Sequence, residues 1–160
     1  MISELFKLVG KPYAEGYQDC YTLAQKYYLQ QFNIQLTNYA RPNNWHHVTG
    51  FNLFDRFFEA EGFQDTGNNA HNVKVGDALL INIARSACTN HVAIYVGQNK
   101  ILHHLQGQNS KMEPYSDRWR FRVKRVLRTP AAHYGNDLTS LSSFYNQLPP
   151  TIKSRLKNEN

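Results

Sequence analysis

The chain is 160 residues long, with 41% apolar residues, two cysteines and a formal net charge of +6. This length and composition predict one globular domain with an ordinary core, and two cysteines are too few for a disulfide framework. No stretch reaches the roughly 20 apolar residues of a membrane-spanning helix and the first residues do not resemble a secretory signal, so we expect a soluble protein, made in the cytoplasm without a signal peptide and without membrane insertion.

Two helices are predicted near the start of the chain. Residues 2–10 have the spacing of a short helix that ends at Gly10 and Pro12. Its apolar side consists of Leu5, Phe6 and Val9. A second helix begins after Asp19, whose carboxylate is suited to cap it. Its apolar stripe consists of Leu23, Ala24, Tyr27, Tyr28 and Phe32. This assignment puts Cys20 in the first turn of the second helix.

The rest of the chain changes from helical to strand periodicity. Residues 36–50 are predicted to be a loop that carries Trp45, His46 and His47, and residues 51–63 a helix that ends at Gly62. Four short β-rich segments follow, at 77–83, 91–97, 100–105 and 121–129. Helices followed by an antiparallel meander predict an α+β fold, with the N-terminal helices packed on the sheet. We expect the domain to span 1–130 and residues 131–160 to form a partly helical appendage.

The positive charge is concentrated late in the chain. Residues 111–128 contain seven basic and two acidic residues, a local excess of five. From Arg118 to Lys124 basic and apolar residues alternate, which predicts a strand with one solvated cationic face. The sequence has neither a glycine-rich phosphate loop nor a nucleic-acid-binding motif. Nucleic acid is therefore not an expected partner.

Cys20 is the first candidate for chemistry. The positive end of a helix dipole and its unsatisfied N–H groups favour a thiolate, so the predicted position lowers the pKa of the thiol. A buried structural cysteine is the more common alternative. A nucleophilic role requires an imidazole to exchange protons and a polar group that fixes the imidazole. His91 and His103 lie on consecutive predicted strands and can supply both.

The parity of the hairpin decides whether His103 or His104 shares a face with His91. A two-residue loop would put His104 on that face, whereas a three-residue loop or a bulge would put His103 there. The alternate residues Ile101, His103 and Leu105 form the more apolar set, which is the set expected to meet a helix. The sequence therefore predicts His103 beside His91, and a hairpin with an odd loop or a bulge.

Several segments together resemble a known family. They are "GKPYAEGYQDCYTLAQKYY", "VKVGDALLI", "NHVAIYVGQNKILHHLQGQNS" and "EPYSDRWRFRVKRVLRTP". Over about residues 5–130 the chain looks like the NlpC/p-sixty superfamily of papain-like cysteine peptidases, and in particular like its phage tail assembly branch. The combination of a D-C element, G-D-x-x-L, H-V-x-I-Y-x-G and I-L-H is specific, although each piece alone is not.

The resemblance implies a function and a set of site residues. It implies an endopeptidase that cleaves peptidoglycan stem peptides, at the bond between the side-chain carboxyl of D-glutamate and a diamino acid. By motif, Cys20 is the nucleophile, His91 the base and His103 the orienting third residue. Tyr13, in the P-Y element, contributes to the oxyanion hole beside the backbone N–H of Cys20. The implied partners are the stem peptide and phage tail proteins, and the implied location is the virion tail.

Three further residues are assigned to the substrate-binding region. Asp19 precedes the nucleophile, and Tyr21 stands where the family has a small serine, so we expect it to narrow or reshape the cleft. Asn90 either shapes the loop before His91 or lines the cleft. Cys88, in the same loop, is expected to be a free thiol or buried filler, and Asp77 a turn acid.

Other functions are weaker hypotheses. Zinc could be coordinated by the histidines, but the motifs H-E-x-x-H and C-x-x-C are both absent. We therefore expect neither a metal nor a cofactor. A structural tail-assembly protein could keep the fold without the reaction. The same thiol and imidazole could also serve amide hydrolysis or acyl transfer on another substrate. Delivery by a phage particle and release through a holin both fit a wall substrate.

Overall fold

The computed structural model describes residues 2–42, 45, 52–67, 69–86 and 88–129. Within these residues the helices are α1 (Ile2–Phe6), α2 (Cys20–Phe32), α3 (Leu53–Ala60) and α4 (Asp117–Arg120). The strands are β1 (Gln64–Asp65), β2 (Ala78–Ile81), β3 (His91–Gly97), β4 (Lys100–His103), β5 (Lys111–Pro114) and β6 (Val123–Arg128). The strands form one antiparallel sheet in the order β1-β6-β2-β3-β4-β5, and the predicted α+β fold is confirmed.

Each face of the sheet has its own hydrophobic cluster. One cluster joins α2 and α3 to the sheet residues Ala78, Leu80, Val92, Ile94, Leu102 and Leu127. The other lies on the opposite face and contains Leu79, Ile81, Ala93, Ile101, Tyr115, Trp119, Val123 and Val126. Alternation along the strands produces this division, because successive side chains point to opposite faces. Helix α2 therefore packs on the face of Val92 and Leu102, and not on the face of Ala93 and Ile101 as expected.

Helix α2 begins where the sequence predicts. The Oδ1 atom of Asp19 accepts a hydrogen bond from the backbone N–H of Thr22 at 2.9 Å, which satisfies one of the unpaired donors of the first turn. The helix ends at Asn33, whose φ of 53° is left-handed. The predicted stripe faces inward, and Tyr27 and Tyr28 are among its buried members. Cys20 is thereby fixed as the first helical residue.

A tight turn immediately before β2 is hydrogen-bonded to α2. The hydroxyl of Tyr28 donates to the carbonyl oxygen of Gly76 at 2.7 Å. Gly76 has φ +90°, and a Cβ there would lie 2.6 Å from the Phe32 ring, so the turn requires glycine. The next residue, Asp77, accepts two hydrogen bonds from the buried guanidinium of Arg128, at 2.7 and 2.6 Å. Asp77 thus ties the turn to β6, in agreement with its expected structural role.

Two predictions about the apolar pattern are wrong. Residues 118–122 are not a strand: α4 is a single helical turn in which the backbone N–H of Trp119 donates to Ser116 O at 2.9 Å. That turn buries Trp119 and leaves Phe121 88% exposed, so the two do not share an apolar face. The helix predicted over 2–10 ends at Phe6, and Phe6, which was predicted to lie on its apolar side, is exposed.

Some predictions concern residues outside the described part of the chain. The loop histidines His46 and His47 and the appendage at 131–160 are among them. Within the described ranges, each helix is too short or too polar to cross a lipid bilayer.

Candidate active site

A cavity of about 370 Å³ lies where α2 begins, β3 begins and β4 ends. Cys20, His91 and His104 are all part of its wall. Because the cavity is at the end of the strands, side chains from both faces of the sheet reach it. This explains how Cys20, in the α2 layer, and His91, on the opposite face, line one space.

The Cys20 thiol is buried, with 8% of the residue exposed. Burial, together with the negative charge of Asp19, raises the pKa of Cys20 to about 12, although backbone hydrogen bonds from Val92 and Tyr21 act in the opposite direction. This direction is opposite to the expected one, since the helix terminus was predicted to lower the pKa of the thiol. At neutral pH the resting thiol is protonated.

His91 and His103 are in direct contact. Their Nε2 and Nδ1 atoms lie 3.0 Å apart, and both residues are buried. Burial lowers the pKa of His91, and the neighbouring His103 and His104 lower it further. Burial also lowers the pKa of His103 to about 4. Both imidazoles are consequently neutral at neutral pH.

Glu113 completes the arrangement on the far side of His103. The Nε2 atom of His103 lies 2.6 Å from Oε1 of Glu113, and the ammonium of Lys111 lies 3.5 Å from the same oxygen. A carboxylate is only an acceptor, so His103 must carry its proton on Nε2. Its Nδ1 then accepts from the Nε2–H of His91, which leaves the lone pair of His91 on Nδ1. The three residues thus fix which nitrogen of His91 can act as a base.

Sequence reasoning missed Glu113, because residues 111–114 are not among the segments predicted to be strands. The structure instead pairs β4 with β5, with Ile101 opposite Glu113 and His103 opposite Lys111. Glu113 is therefore the diagonal neighbour of His103 on one face of the sheet. Recognition of residues 111–114 as a strand would have been the signal.

The β3–β4 hairpin has the predicted irregularity. Ala93 pairs with His103 and Tyr95 with Ile101, and a bulge at Val96 shifts the register before Gly97 pairs with Lys100. His91 and His103 consequently share a face, as predicted. The reason given for that prediction is wrong, because α2 packs on the other face of the sheet.

Trp119 covers the two imidazoles. Its ring centroid lies 4.8 Å from that of His103 in an edge-to-face contact and 6.4 Å from that of His91. Trp119 is 3% exposed. An apolar ring at this position helps keep water from the histidine pair, which is consistent with their lowered pKa values.

Tyr13 and His104 form another part of the cavity wall. Their rings meet edge to face at 5.3 Å between centroids. Burial, followed by the charges of Cys20 and Asp19, raises the pKa of Tyr13, so its hydroxyl stays protonated. His104 is 1% exposed, and its Nε2 has no hydrogen-bond partner among the described residues.

Asp19 and Asn90 hold the backbone around the cavity that they line. The carboxylate of Asp19 accepts from the backbone N–H of Gly16 at 3.0 Å and from Nε of Arg41 at 2.7 Å, in addition to its capping bond. The amide of Asn90 exchanges two hydrogen bonds with the backbone of Ile83, at 2.7 and 2.9 Å. Asn90 therefore both shapes the loop before His91 and lines the cavity, which were the two alternatives that the sequence left open.

Tyr21 lies elsewhere. Tyr21 is fully buried, and its ring contacts those of Phe54 and Phe57. Its hydroxyl donates to Thr37 O at 2.9 Å. The expectation that Tyr21 narrows the cleft is wrong, because its position on α2 directs it into the aromatic core.

The structure also bears on the Cys88 thiol and on the metal hypothesis. Cys20 and Cys88 are both free and buried, and Sγ of Cys88 lies 3.6 Å from the hydroxyl of Ser86. Among the residues that the structure describes, no group of three or more potential metal ligands comes together.

Comparisons with known proteins agree with this fold. The model of the NlpC/P60 family matches residues 10–128. Tail tip assembly protein K of Escherichia phage lambda is 35% identical over 143 residues, which cover 86% of this chain and 69% of that protein. The protein of the same name in Escherichia phage N15 is 28% identical over 123 residues, which cover 76% of this chain and 49% of that protein.

A solved structure has a similar fold. It is a lipoprotein-like NLP/P60 family protein of Staphylococcus aureus, which is 20% identical and has a TM-score of 0.52 over 79% of this chain and 39% of that one. The fold is therefore shared at low sequence identity. Because the family model matches most of the chain and the lambda protein is similar over two thirds of its own length, the chain belongs to the NlpC/P60 family.

Proposed function

We propose that this protein is a cysteine endopeptidase that cleaves peptidoglycan stem peptides. The family consists typically of peptidoglycan hydrolases. The observation that carries the proposal is the contact between His91 and His103 beside a cavity that Cys20 also lines. The bond proposed for cleavage is the amide between the side-chain carboxyl of D-glutamate and a diamino acid.

The first step uses a neutral thiol and a neutral imidazole. His91 Nδ1 takes the proton of the Cys20 thiol as the sulfur attacks the scissile carbonyl carbon. His91 then carries a positive charge, which His103 and the carboxylate of Glu113 stabilise through their hydrogen bonds. The charge separation thus forms with the substrate in place.

The carbonyl oxygen becomes negative in the tetrahedral intermediate. We assign its stabilisation to the backbone N–H of Cys20 and to the hydroxyl of Tyr13. The raised pKa of Tyr13 supports this role, because the hydroxyl remains a donor throughout the neutral range.

The intermediate collapses when His91 returns its proton to the leaving amine. The C–N bond breaks and a thioester to Cys20 remains. Water then enters, His91 takes one of its protons, and hydroxide attack releases the free carboxylate and the Cys20 thiol. Each proton taken by His91 is given back, so the enzyme regains its starting state.

The proposed place of action is the tail of a phage particle. The two relatives named above are tail tip assembly proteins of phages, which supports a location at the tail. Tail proteins are accordingly the proposed macromolecular partners. A tail-bound enzyme would meet peptidoglycan when the particle contacts a cell.

Product analysis tests the proposed reaction. Purified peptidoglycan of several peptide types is incubated with the wild-type protein or with Cys20→Ala, and soluble products are identified by mass spectrometry. Fragments that end at D-glutamate, formed only by the wild-type protein, would support the proposal. Intact stem peptides after incubation with the wild-type protein would contradict it.

A second candidate is a tail-assembly subunit whose reaction is dispensable. Two observations favour it: the name of the relatives, and the burial of the Cys20 thiol with its raised pKa. Particles assembled with Cys20→Ala distinguish the candidates. Normal tails that infect normally support the assembly role, whereas normal tails with impaired DNA entry support the peptidase.

A further inference from the structure

Two arginines of the candidate catalytic cavity have no acidic partner among the residues that the structure describes. Arg118 and Arg122 both line it, and neither forms a salt bridge or a side-chain hydrogen bond within the described part of the chain. By contrast, Arg41 in the same wall is paired with Asp19 at 2.7 Å.

Other arginines nearby in sequence are paired. Arg120 binds Asp117, Arg125 binds Asp55, Glu59 and Asp65, and Arg128 binds Asp77. Most of the positive charge that the sequence concentrates in this region is thus balanced within the fold. The charges of Arg118 and Arg122 remain available at the cavity.

The position of Arg118 places its charge near the reacting groups. The guanidinium carbon lies 5.4 Å from the centroid of the Trp119 ring. That ring contacts His103 and His91. A cation on Trp119 therefore sits one side chain away from the histidine pair.

Two guanidinium groups at one cavity are suited to a planar anion. Arginine offers parallel N–H donors that match the two oxygens of a carboxylate. An amide at the same place has one acceptor oxygen, and its NH₂ group opposes the arginine donors. The cavity can thus distinguish an acid from its amide.

We propose that Arg118 and Arg122 bind the free α-carboxylate of the D-glutamyl residue whose side chain is cleaved. This inference rests on the proposed function, since it names a specificity of the same site. The α-carboxylate belongs to the residue that also contains the scissile carbonyl, so both must enter the cavity together. The enzyme accordingly selects acidic stem peptides over those amidated at this position.

The test compares two synthetic stem peptides. They differ only in whether the α-carboxyl group of D-glutamate is free or amidated. We expect the wild-type protein to cleave the acid with a kcat/KM about 10- to 100-fold higher than that for the amide. In the double variant Arg118→Gln, Arg122→Gln this ratio falls towards one. Arg56→Gln, an exposed change on α3 outside the cavity, is the matched control and keeps the ratio.

Binding to Cys20→Ala separates this inference from the proposed function. Calorimetry on that variant should give tighter binding of the acid than of the amide, with the difference lost when the two arginines are replaced. Cleavage of both peptides at equal rates overturns the selectivity and leaves the peptidase intact. Preferential binding of the acid without any cleavage by the wild-type protein supports the arginine site and overturns the peptidase. Equal or absent binding of the two peptides overturns the arginine site.

Discussion

The Nε2 atom of His103 lies 2.6 Å from a carboxylate oxygen of Glu113, on the side of the imidazole opposite His91. This contact makes Glu113 a positioning residue, because it acts on the proposed base only through His103. It also fixes the proton positions in the resting site: His103 carries its proton on Nε2 and His91 on Nε2.

Replacing Glu113 should reduce activity without abolishing it. In Glu113→Gln the amide can donate as well as accept, so His103 no longer has one fixed tautomer. We expect kcat to fall roughly 10- to 100-fold with a smaller change in KM. Steady-state kinetics across pH measure this, with Glu4→Gln on α1 as the control. A wild-type pH profile with wild-type kcat in Glu113→Gln would remove Glu113 from the relay.

Cys20→Ala should abolish cleavage and leave the protein folded. The change removes one buried sulfur, so we expect a loss of about 1 kcal/mol in unfolding free energy. Cys88→Ser is the matched control, since Cys88 is also buried and free but the proposed mechanism does not use it. Cleavage assays and thermal melts of both variants check this. Residual turnover by Cys20→Ala at the wild-type rate would exclude the thiol mechanism.

Tyr13→Phe should lower kcat more than it changes KM. The lost hydroxyl is proposed to donate to an oxygen that becomes negative only in the intermediate, so its loss costs about 100-fold. Tyr17→Phe, at a residue that is 85% exposed, controls for the general effect of losing a phenol. If Tyr13→Phe instead raises KM at constant kcat, the hydroxyl binds the ground state.

Stability should fall as the pH drops below about 6.5. The pKa of His103 is lowered to about 4 in the fold, so between pH 6.5 and 4 the unfolded chain binds protons that the native state does not. His103 therefore lowers the free energy of unfolding progressively as the pH falls through this range. His91, whose pKa is also lowered, changes stability in the same direction.

Urea unfolding at pH 7, 5.5 and 4 measures this dependence. The double variant His91→Asn, His103→Asn should lose less stability over this range than the wild-type protein. A variant of the exposed His71 is the control, and it should keep the wild-type dependence. An equal loss in the double variant and the wild-type protein would assign the acid sensitivity to other groups.

Local patterns in the sequence were sufficient for the positions of the key residues. Asp19 caps α2 and places Cys20 at its start, and strand parity places His91 and His103 together. The role of Glu113 and the burial of Cys20 could not be predicted from the sequence, because they depend on pairing and packing between distant segments. The alternation of basic and apolar residues wrongly predicted a strand over 118–122, because this segment includes the helical turn α4.

The two adjacent histidines should differ strongly in their effect on activity. His103 contacts both His91 and Glu113, so His103→Ala removes the group that fixes the proposed base. His104 points to the other face, where it meets Tyr13 and lines the cavity without a partner for its Nε2 in the described chain. We expect His103→Ala to cost roughly 100-fold or more in kcat/KM, and His104→Ala to cost far less. Kinetics of the two variants, each confirmed to be folded by circular dichroism, decide this. The reverse ranking would mean that His104, and not His103, supports the reaction from its place beside Tyr13.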